Sequence, residues 1–526
     1  MDGSTSAPFD AGRVRRALQA MAAALGAGAV LSADDDLSAY VDPYAFGDPA
    51  AFRASGAVLP GSVEDVQAVV RIAGEEGVPL WTVSTGRNLG YGGAAPRLSG
   101  SVVLDLQRMN RILEVDEEHG YALLEPGVRF FDLYEHIKAR GLKLWISSPA
   151  LGWGSVVGNA LERGIGYTPY GDHAAQICGL EVVLASGEVV RTGMGAVPGS
   201  NSWQLFKGGY GPSLDGLFLQ SNLGVVTKLG LWLMPQPDGM TACEVRFQKE
   251  ADLEPAIDAL APLRRRDIVQ NNATMANIVR QAAGLHPRSR WYDGPGAMPD
   301  EVLETIRREL GGGWWNMRFC LYGDEDMMSA RLRHVRRAFE AISGAELVTR
   351  TYLGGPEGLN AWDIEGPAAH YAGVPGLGAL QVLKFRGEDC GHLGFSPIVA
   401  PSGREAMRVY RQVRARADAY GIDYFGGFTA NVRHLNHIFL IIYDNHDPAQ
   451  TGAAAAMFEE LVAEAAHEGV AEYRAHLAFM DQVGDAYSWN GHALRRLNET
   501  IKDAMDPQGV LSPGKQGIWP AGQRKA

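Results

Sequence analysis

Short apolar runs alternate with polar, glycine-rich turns through the first 235 residues. Ser62-Val63-Glu64-Asp65 opens a predicted helix running to about Gly77, because a small polar cap and early acids complement a helix's positive end. Leu80 to Ser84 reads as a buried strand leading into a glycine-rich loop. Ser101–Leu106 and Tyr121–Leu124 read as further strands. Leu180–Leu184 and Val189–Arg191, joined through Ser186-Gly187, read as a hairpin, and Lys228–Met234 closes the block.

Pro235 and Pro237 break this rhythm. Longer strand–helix units follow. Thr241–Gln248 precedes a helix near Ala251–Leu263, and Trp314–Tyr322 precedes Ser329–Ile342. The helix Arg404–Tyr420 leads to a strand at Asn436–Tyr443 and a helix at Ala453–His467. Such units predict a sheet covered by helices. A last helix, Ala493–Met505, ends at Asp506-Pro507-Gln508-Gly509, and a tail with Pro513, Gly514 and Trp519 is expected to pack back on a domain.

At the N-terminus, Arg13 to Arg16 precede an alanine-rich stretch from Ala17 to Ala33 that superficially resembles a signal peptide. Val14, Leu18, Met21, Ala22 and Leu25 fall at helical spacing, which predicts an amphipathic surface helix instead. No run of ~20 strongly apolar residues occurs, so no membrane span is expected.

Composition narrows the picture. At roughly 150 residues per domain, the chain has room for two to four domains. Apolar residues make up 46% and charged residues 21%, as in an ordinary globular protein with a large core. The formal charge of −13 argues against nucleic acid or an anionic membrane as a general partner. Cys178, Cys243, Cys320 and Cys390 lie far apart with no CxxC, which excludes thioredoxin-type motifs and suits a cytoplasmic location. His434 and His437 stand three apart, HExxH is absent, and no metal site is expected. No GxSxG elbow is present, against an α/β-hydrolase.

Three glycine- and hydroxyl-rich segments carry the chemistry. Ser84-Thr85-Gly86-Arg87-Asn88-Leu89-Gly90-Tyr91-Gly92-Gly93 follows a strand and lets backbone N–H groups approach an anion. Spacing alone does not separate such a cradle from a plain turn, and it is neither a P-loop nor a Rossmann fingerprint. Gly152-Trp153-Gly154-Ser155-Val156-Val157-Gly158-Asn159 and Ser221-Asn222-Leu223-Gly224-Val225-Val226-Thr227 are similar in character. Together they point to a large anionic cofactor held by backbone donors.

The segment Gly86–Arg97 resembles the flavin pyrophosphate loop of the vanillyl-alcohol oxidase and 4-cresol dehydrogenase flavoprotein family. Gly164–His173, Glu472–Asp481 and Asp506–Lys515 are similar to other segments of that family, and the likeness runs from about residue 40 to 520. The resemblance implies an α+β fold: a two-part FAD-binding domain, residues 1–237 and 470–526, around a central cap at 238–469. It implies FAD bound by Ser84, Thr85, Gly86, Arg87, Asn88, Leu89, Gly90, Pro149, Gly152, Gly154, Ser155, Gly158, Asn159, Gly224, Val225, Arg474 and Lys515.

By the same resemblance, Tyr91, Tyr473 and Arg474 match the catalytic trio that binds a phenol oxygen. Two phenolic donors and a permanent cation favour a phenolate, which can expel a hydride from its para side chain. His392, in Cys390-Gly391-His392-Leu393-Gly394-Phe395-Ser396-Pro397, matches the histidine that bonds the flavin 8α-methyl group. Taken without the family, it reads as a hydrogen-bonded core histidine. Ala150, Tyr167, Gly394, Gly427 and His437 are expected in the substrate pocket. The implied partners are a small phenol, oxygen or a cytochrome c as electron acceptor, and a second copy of the chain in a dimer.

Two positions depart from the pattern. Ala150 stands where oxidases of the family carry an aspartate beside the flavin. Gly427 stands where cresol dehydrogenases carry a glutamate. Loss of both acids removes a proton acceptor and enlarges the pocket, so bulkier phenols are expected as substrates. Glu388 and Asp389, ahead of His392, read as solvent-facing turn residues with pocket acids as the alternative.

Overall fold

The computed structural model describes residues 10–32, 35–44, 46 and 49–524. The first nine residues, the last two, and Ala33 of the alanine-rich stretch lie outside the described residues.

A first sheet places Val30–Leu31, Gly56–Val58, Val102–Asp105 and Leu80–Val83 side by side. Gly56–Val58 and Leu80–Val83 both run parallel to Val102–Asp105, so helical crossovers must cover the sheet. The helix Val63–Glu76 does so. Ser62 Oγ accepts the Asp65 N–H at 3.1 Å, and Asp65 returns the bond to the Ser62 N–H at 3.1 Å. Val66, Val69, Val70 and Ala73 form its buried stripe. The N-terminal helix Ala11–Leu25 adds Val14, Leu18 and Met21 of the predicted face to the same core, with Ala17 beside them, while Ala22 and Leu25 are only partly covered.

A second, antiparallel sheet orders Ile112–Asp116, Tyr121–Leu124, Val225–Trp232, Ile177–Val183 and Val189–Arg191. The predicted hairpin pairs Val183 with Val189. Ile112–Asp116 escaped the hydrophobic pattern because this edge strand is only partly covered along its length.

The largest sheet takes its nine strands from between Gly239 and Glu472, and their pairings are antiparallel. The helices Leu253–Arg265, Glu325–Phe339, Gly403–Ala419 and Pro448–His467 pack on it, close to the predicted positions. Cys390–Phe395 and Gly426–Ala430 also join it, although glycine, cysteine and histidine give their sequences little strand signal.

The chain then returns to its beginning. Ala471–Glu472 pairs with Pro397–Val399, so Tyr473 and Arg474 leave directly from the edge of the large sheet. The final helix is assigned from Trp489 to Met505, but Asn490, Gly491 and His492 have left-handed angles, and the regular part follows them. Leu80 N–H donates to Val510 O at 2.7 Å, and Ser512 N–H donates to Leu80 O at 2.8 Å. The tail is thereby joined to the first sheet. N- and C-terminal segments form one domain around the central sheet, as the resemblance implied. Among the described residues, no helix is long and apolar enough to cross a membrane.

Candidate active site

A cavity of ≈ 200 Å³ opens where the first sheet, the second sheet and the returning tail meet. Ser84, Thr85, Gly86, Arg87, Asn88, Tyr91, Gly154, Ser155, Gly158, Asn159, Gly224, Arg474 and Lys515 line it. The loops that carry them touch: a Cβ on Gly158 would lie 2.3 Å from Ser84 Oγ. Gly86, Gly90, Gly92 and Gly93 all have positive φ, which the winding of this loop requires.

From Ser84 to Gly90, the backbone N–H groups have no hydrogen-bond partner among the described residues. Backbone donors are normally satisfied, so a run left open on a cavity wall fits an anionic ligand. The residues present therefore suit a pyrophosphate. On the same wall, Lys515 Nζ lies 2.5 Å from Glu162 Oε1. Other predicted cofactor residues sit off this wall. Val225 is buried in its strand. Leu89 packs partly against the core of the large sheet. Pro149 lies in the loop with Gly152, where a Gly152 Cβ would fall 2.4 Å from Pro375.

Gly90 abuts His392. A Cβ there would lie 2.3 Å from His392 Cε1. The Tyr44 ring is 5.3 Å from the imidazole, centroid to centroid. Nδ1 of His392 is buried without a partner, and neither ring nitrogen is hydrogen-bonded among the described residues. Burial, aided by His476 and opposed by Asp42, lowers its pKa to about 4. The imidazole is thus neutral, with its lone pair unused, at the end of the cradle loop.

Beside it, Arg474 Nη2 donates to Tyr91 OH at 3.3 Å, and the guanidinium carbon lies 5.3 Å from the Tyr473 ring centroid. Burial opposes the Arg474 charge, but Tyr473 and Tyr91 outweigh it and raise the pKa. Among the described residues, no carboxylate lies within ion-pair distance of this arginine, and its Nε is buried without a partner. The neighbouring Glu472 gives Oε1 to the Ser396 N–H and leaves Oε2 unpaired, and burial pushes its carboxyl well up. Burial also raises Tyr473 to about 12, so its phenol stays a donor. A buried cation between two phenols, with the Glu162 charge acting only from beyond ion-pair distance, suits an anion.

The expected pocket residues divide. A Cβ on Gly394 would meet Tyr91 OH at 3.3 Å, so this glycine borders the trio. Ala150 is partly covered in the loop before Gly152. Tyr167 stacks on His370 with centroids 4.0 Å apart. His437 is fully enclosed, with Nε2 2.8 Å from Tyr424 OH and its ring against Phe428. Gly427 has no room for a side chain, since a Cβ would lie 1.8 Å from Met275 O. Glu388 and Asp389 are exposed, as turn residues, and Asp389 pairs with His446 at 3.3 Å.

Sequence reasoning passed over several residues. Gln220 Nε2 donates to Tyr473 O at 2.8 Å, and Asn222 Nδ2 donates to Ser512 O at 3.1 Å. Asn222 lies within the third glycine-rich segment and Gln220 just before it, and that position is the available signal. His173 is buried, neutral and 2.6 Å from Asn159 Oδ1 through Nδ1. Nothing in the sequence marked His370.

Known proteins share this arrangement. The FAD binding domain family matches residues 54–193, and the C-terminal domain of FAD linked oxidases matches residues 378–516. The 4-cresol dehydrogenase [hydroxylating] flavoprotein subunit of Pseudomonas putida is 40% identical over 466 residues, covering 88% of each chain. The chain belongs to the vanillyl-alcohol oxidase/p-cresol methylhydroxylase family of FAD-dependent oxidoreductases. Within this family, 4-ethylphenol oxidase from Gulosibacter chungangensis has a TM-score of 0.93 at 39% identity, over 99% of this chain and 100% of that one. Substrate-bound p-cresol methylhydroxylase has a TM-score of 0.91 at 38% identity, over 97% of each. Family membership makes FAD the cofactor, and the open N–H groups of Ser84 to Asn88 on the cavity wall are chemically suited to its pyrophosphate.

Proposed function

We propose that the protein oxidises para-substituted phenols at the para side chain: 4-hydroxybenzylic alcohols and 4-alkyl- or 4-allylphenols. The observation that carries this reading is Arg474, a buried cation that lacks a carboxylate and lies against Tyr91 and Tyr473. The phenol oxygen binds among these three groups. The cation and the two hydroxyl donors lower its pKa and hold it as phenolate. FAD, when bound, supplies the acceptor for the hydride that leaves the side chain. The electron-rich ring then becomes a quinone methide, with its oxygen still held by Arg474. The loop Ser84–Gly90 holds the pyrophosphate through backbone donors. His392 tethers the flavin ring, a role supported by its neutral, unpartnered imidazole beside Gly90.

Oxygen is the electron acceptor in this reading, with release of hydrogen peroxide. A second reading, transfer to a cytochrome c, is favoured by the dehydrogenase relative and by Ala150 in place of an acid. The missing side chain at Ala150 also supports bulkier substrates, including lignin- and lignan-derived phenols. Turnover of vanillyl alcohol or 4-ethylphenol far faster than every larger phenol excludes that extension. The protein is expected to act as a dimer in the cytoplasm, where its four unpaired, buried cysteines stay reduced.

Anaerobic mixing of the holoenzyme with a panel of 4-substituted phenols tests the reading. Flavin bleaching by phenols, but not by sugars or by 4-methoxy analogues lacking the free hydroxyl, is expected. Admitting air then separates the acceptors: rapid recolouring with peroxide marks an oxidase, and slow recolouring with fast cytochrome reduction marks a dehydrogenase. A holoenzyme whose flavin no phenol bleaches refutes the proposal.

A further inference from the structure

A quinone methide becomes an alcohol by capturing water, and a proton acceptor assists that addition. Ala150 offers none, and Gly427 has backbone where a side chain would stand. A titratable group stands on the turn whose following loop packs against the Ala150 segment. The helical turn Gly366–Ala372 of the cap leads into a loop pressed against the segment that contains Ala150. Gly152 N–H donates to Gly376 O at 3.0 Å. Gly373, at φ +77, turns so tightly that a Cβ would lie 1.9 Å from Ile146 O. These contacts fix the turn on both sides of position 150.

His370 sits on that turn. Its ring packs on Tyr167 with centroids 4.0 Å apart and planes at 41°. The Tyr371 ring lies 6.2 Å from it and 6.0 Å from that of Tyr167. Neither His370 nitrogen has a hydrogen-bond partner among the described residues. The residue is largely buried yet keeps some accessible surface. Burial, with the Arg280 charge adding to it, lowers its pKa to about 4. The imidazole therefore carries a free lone pair at neutral pH.

We propose that His370 is the base that activates water at the para side chain, in the role left vacant at Ala150; the proposal rests on the phenol reading above. In this step the water oxygen bonds to the exocyclic carbon of the quinone methide. One water O–H bond breaks and its proton passes to His370. The exocyclic C=C pair flows into the ring and restores the phenolate beside Arg474. No oxidant is consumed, since the hydride has already left.

The partition of 4-ethylphenol between the alcohol and 4-vinylphenol tests this directly. Water capture gives the alcohol, and loss of a proton from the methyl group gives the alkene. With His370→Ala, the alcohol-to-alkene ratio is expected to fall about tenfold or more, given what general bases contribute. Added imidazole then restores the alcohol in proportion to its concentration, which a merely structural role does not predict. His370→Gln fills the space without a base, so the same fall without rescue is expected. It also replaces the alanine variant as the readout should that protein lose its flavin. An unchanged ratio in both variants, no rescue of a folded alanine variant, or a wild-type product free of the alcohol overturns the proposal. If the wild-type flavin is bleached by no phenol, the phenol reading itself fails, and that result is distinct from all of these.

Discussion

The Arg474 guanidinium stands over the Tyr91 ring, with Cζ 4.5 Å from the ring centroid and Nη2 3.3 Å from the hydroxyl. The two residues are 383 positions apart. Tyr91 comes from the cradle loop, and Arg474 from the point where the chain leaves the large sheet. A ring face partly compensates a cation, but it does not neutralise it. The charge is left for a ligand.

Replacing that cation tests its use. Arg474→Gln is expected to weaken phenol binding about 100-fold, the scale of a lost charge-assisted hydrogen bond of about 3 kcal/mol. Tyr473, raised to about 12 by burial, keeps its proton at neutral pH and ionises only as pH climbs through that value. Wild-type binding thus persists into alkaline solution, and the variant's residual binding follows the fraction of phenolate already in solution. Stopped-flow bleaching against pH reads both effects.

For His392, the expected result is a wild-type protein that keeps the mass of FAD after denaturation, and a His392→Ala variant that loses it. Attachment requires the neutral imidazole. With a pKa lowered to about 4, that form dominates above this value, and attachment slows as pH falls through it. Free flavin in the acid supernatant of the wild type rules the tether out.

The next prediction concerns Gly427. A methyl group there would sit 1.8 Å from Met275 O, on the neighbouring strand of a tightly paired sheet. Gly427→Ala is expected to destabilise the protein by about 3 kcal/mol or more, because backbone cannot move aside as a side chain can. Gly427→Glu is expected to fold less well still, rather than to restore a catalytic acid. Thermal melting of the two variants against wild type measures this.

Lys502 ties the tail to the cavity. Its Nζ donates to Asn222 O and Leu511 O at 2.7 Å and to Asp506 Oδ2 at 2.6 Å, with both charged side chains fully buried. Lys502→Met leaves Asp506 buried and unpaired, at an expected cost of about 3–5 kcal/mol. The double variant Lys502→Met/Asp506→Leu is expected to recover part of that loss. Denaturant midpoints for the single and double variants give the coupling.

Much of this protein was legible in its sequence. Ser62 and Asp65 declared their helix, and the hairpin turn at Ser186-Gly187 lies between the strands it joins, because caps and turns act over a few residues. The long motifs around Tyr91, His392 and Arg474 carried the family resemblance, and with it the trio. Cys390–Phe395 and Gly426–Ala430 were illegible as strands, since their pairing comes from neighbours remote in sequence rather than from local preference.

Tertiary structure alone decided the rest. Gly427 reads in sequence as a side chain lost from a pocket, whereas a Cβ there would meet Met275 O at 1.8 Å. The pairing of Lys515 with Glu162, 353 residues away, is likewise set by packing. His370 carried no signal at all until folding brought it onto Tyr167. Sequence determines residue types and short-range geometry. Which groups face each other across hundreds of residues, and which are left without a partner, depends on long-range packing, and that is where a proton or a charge finds its place.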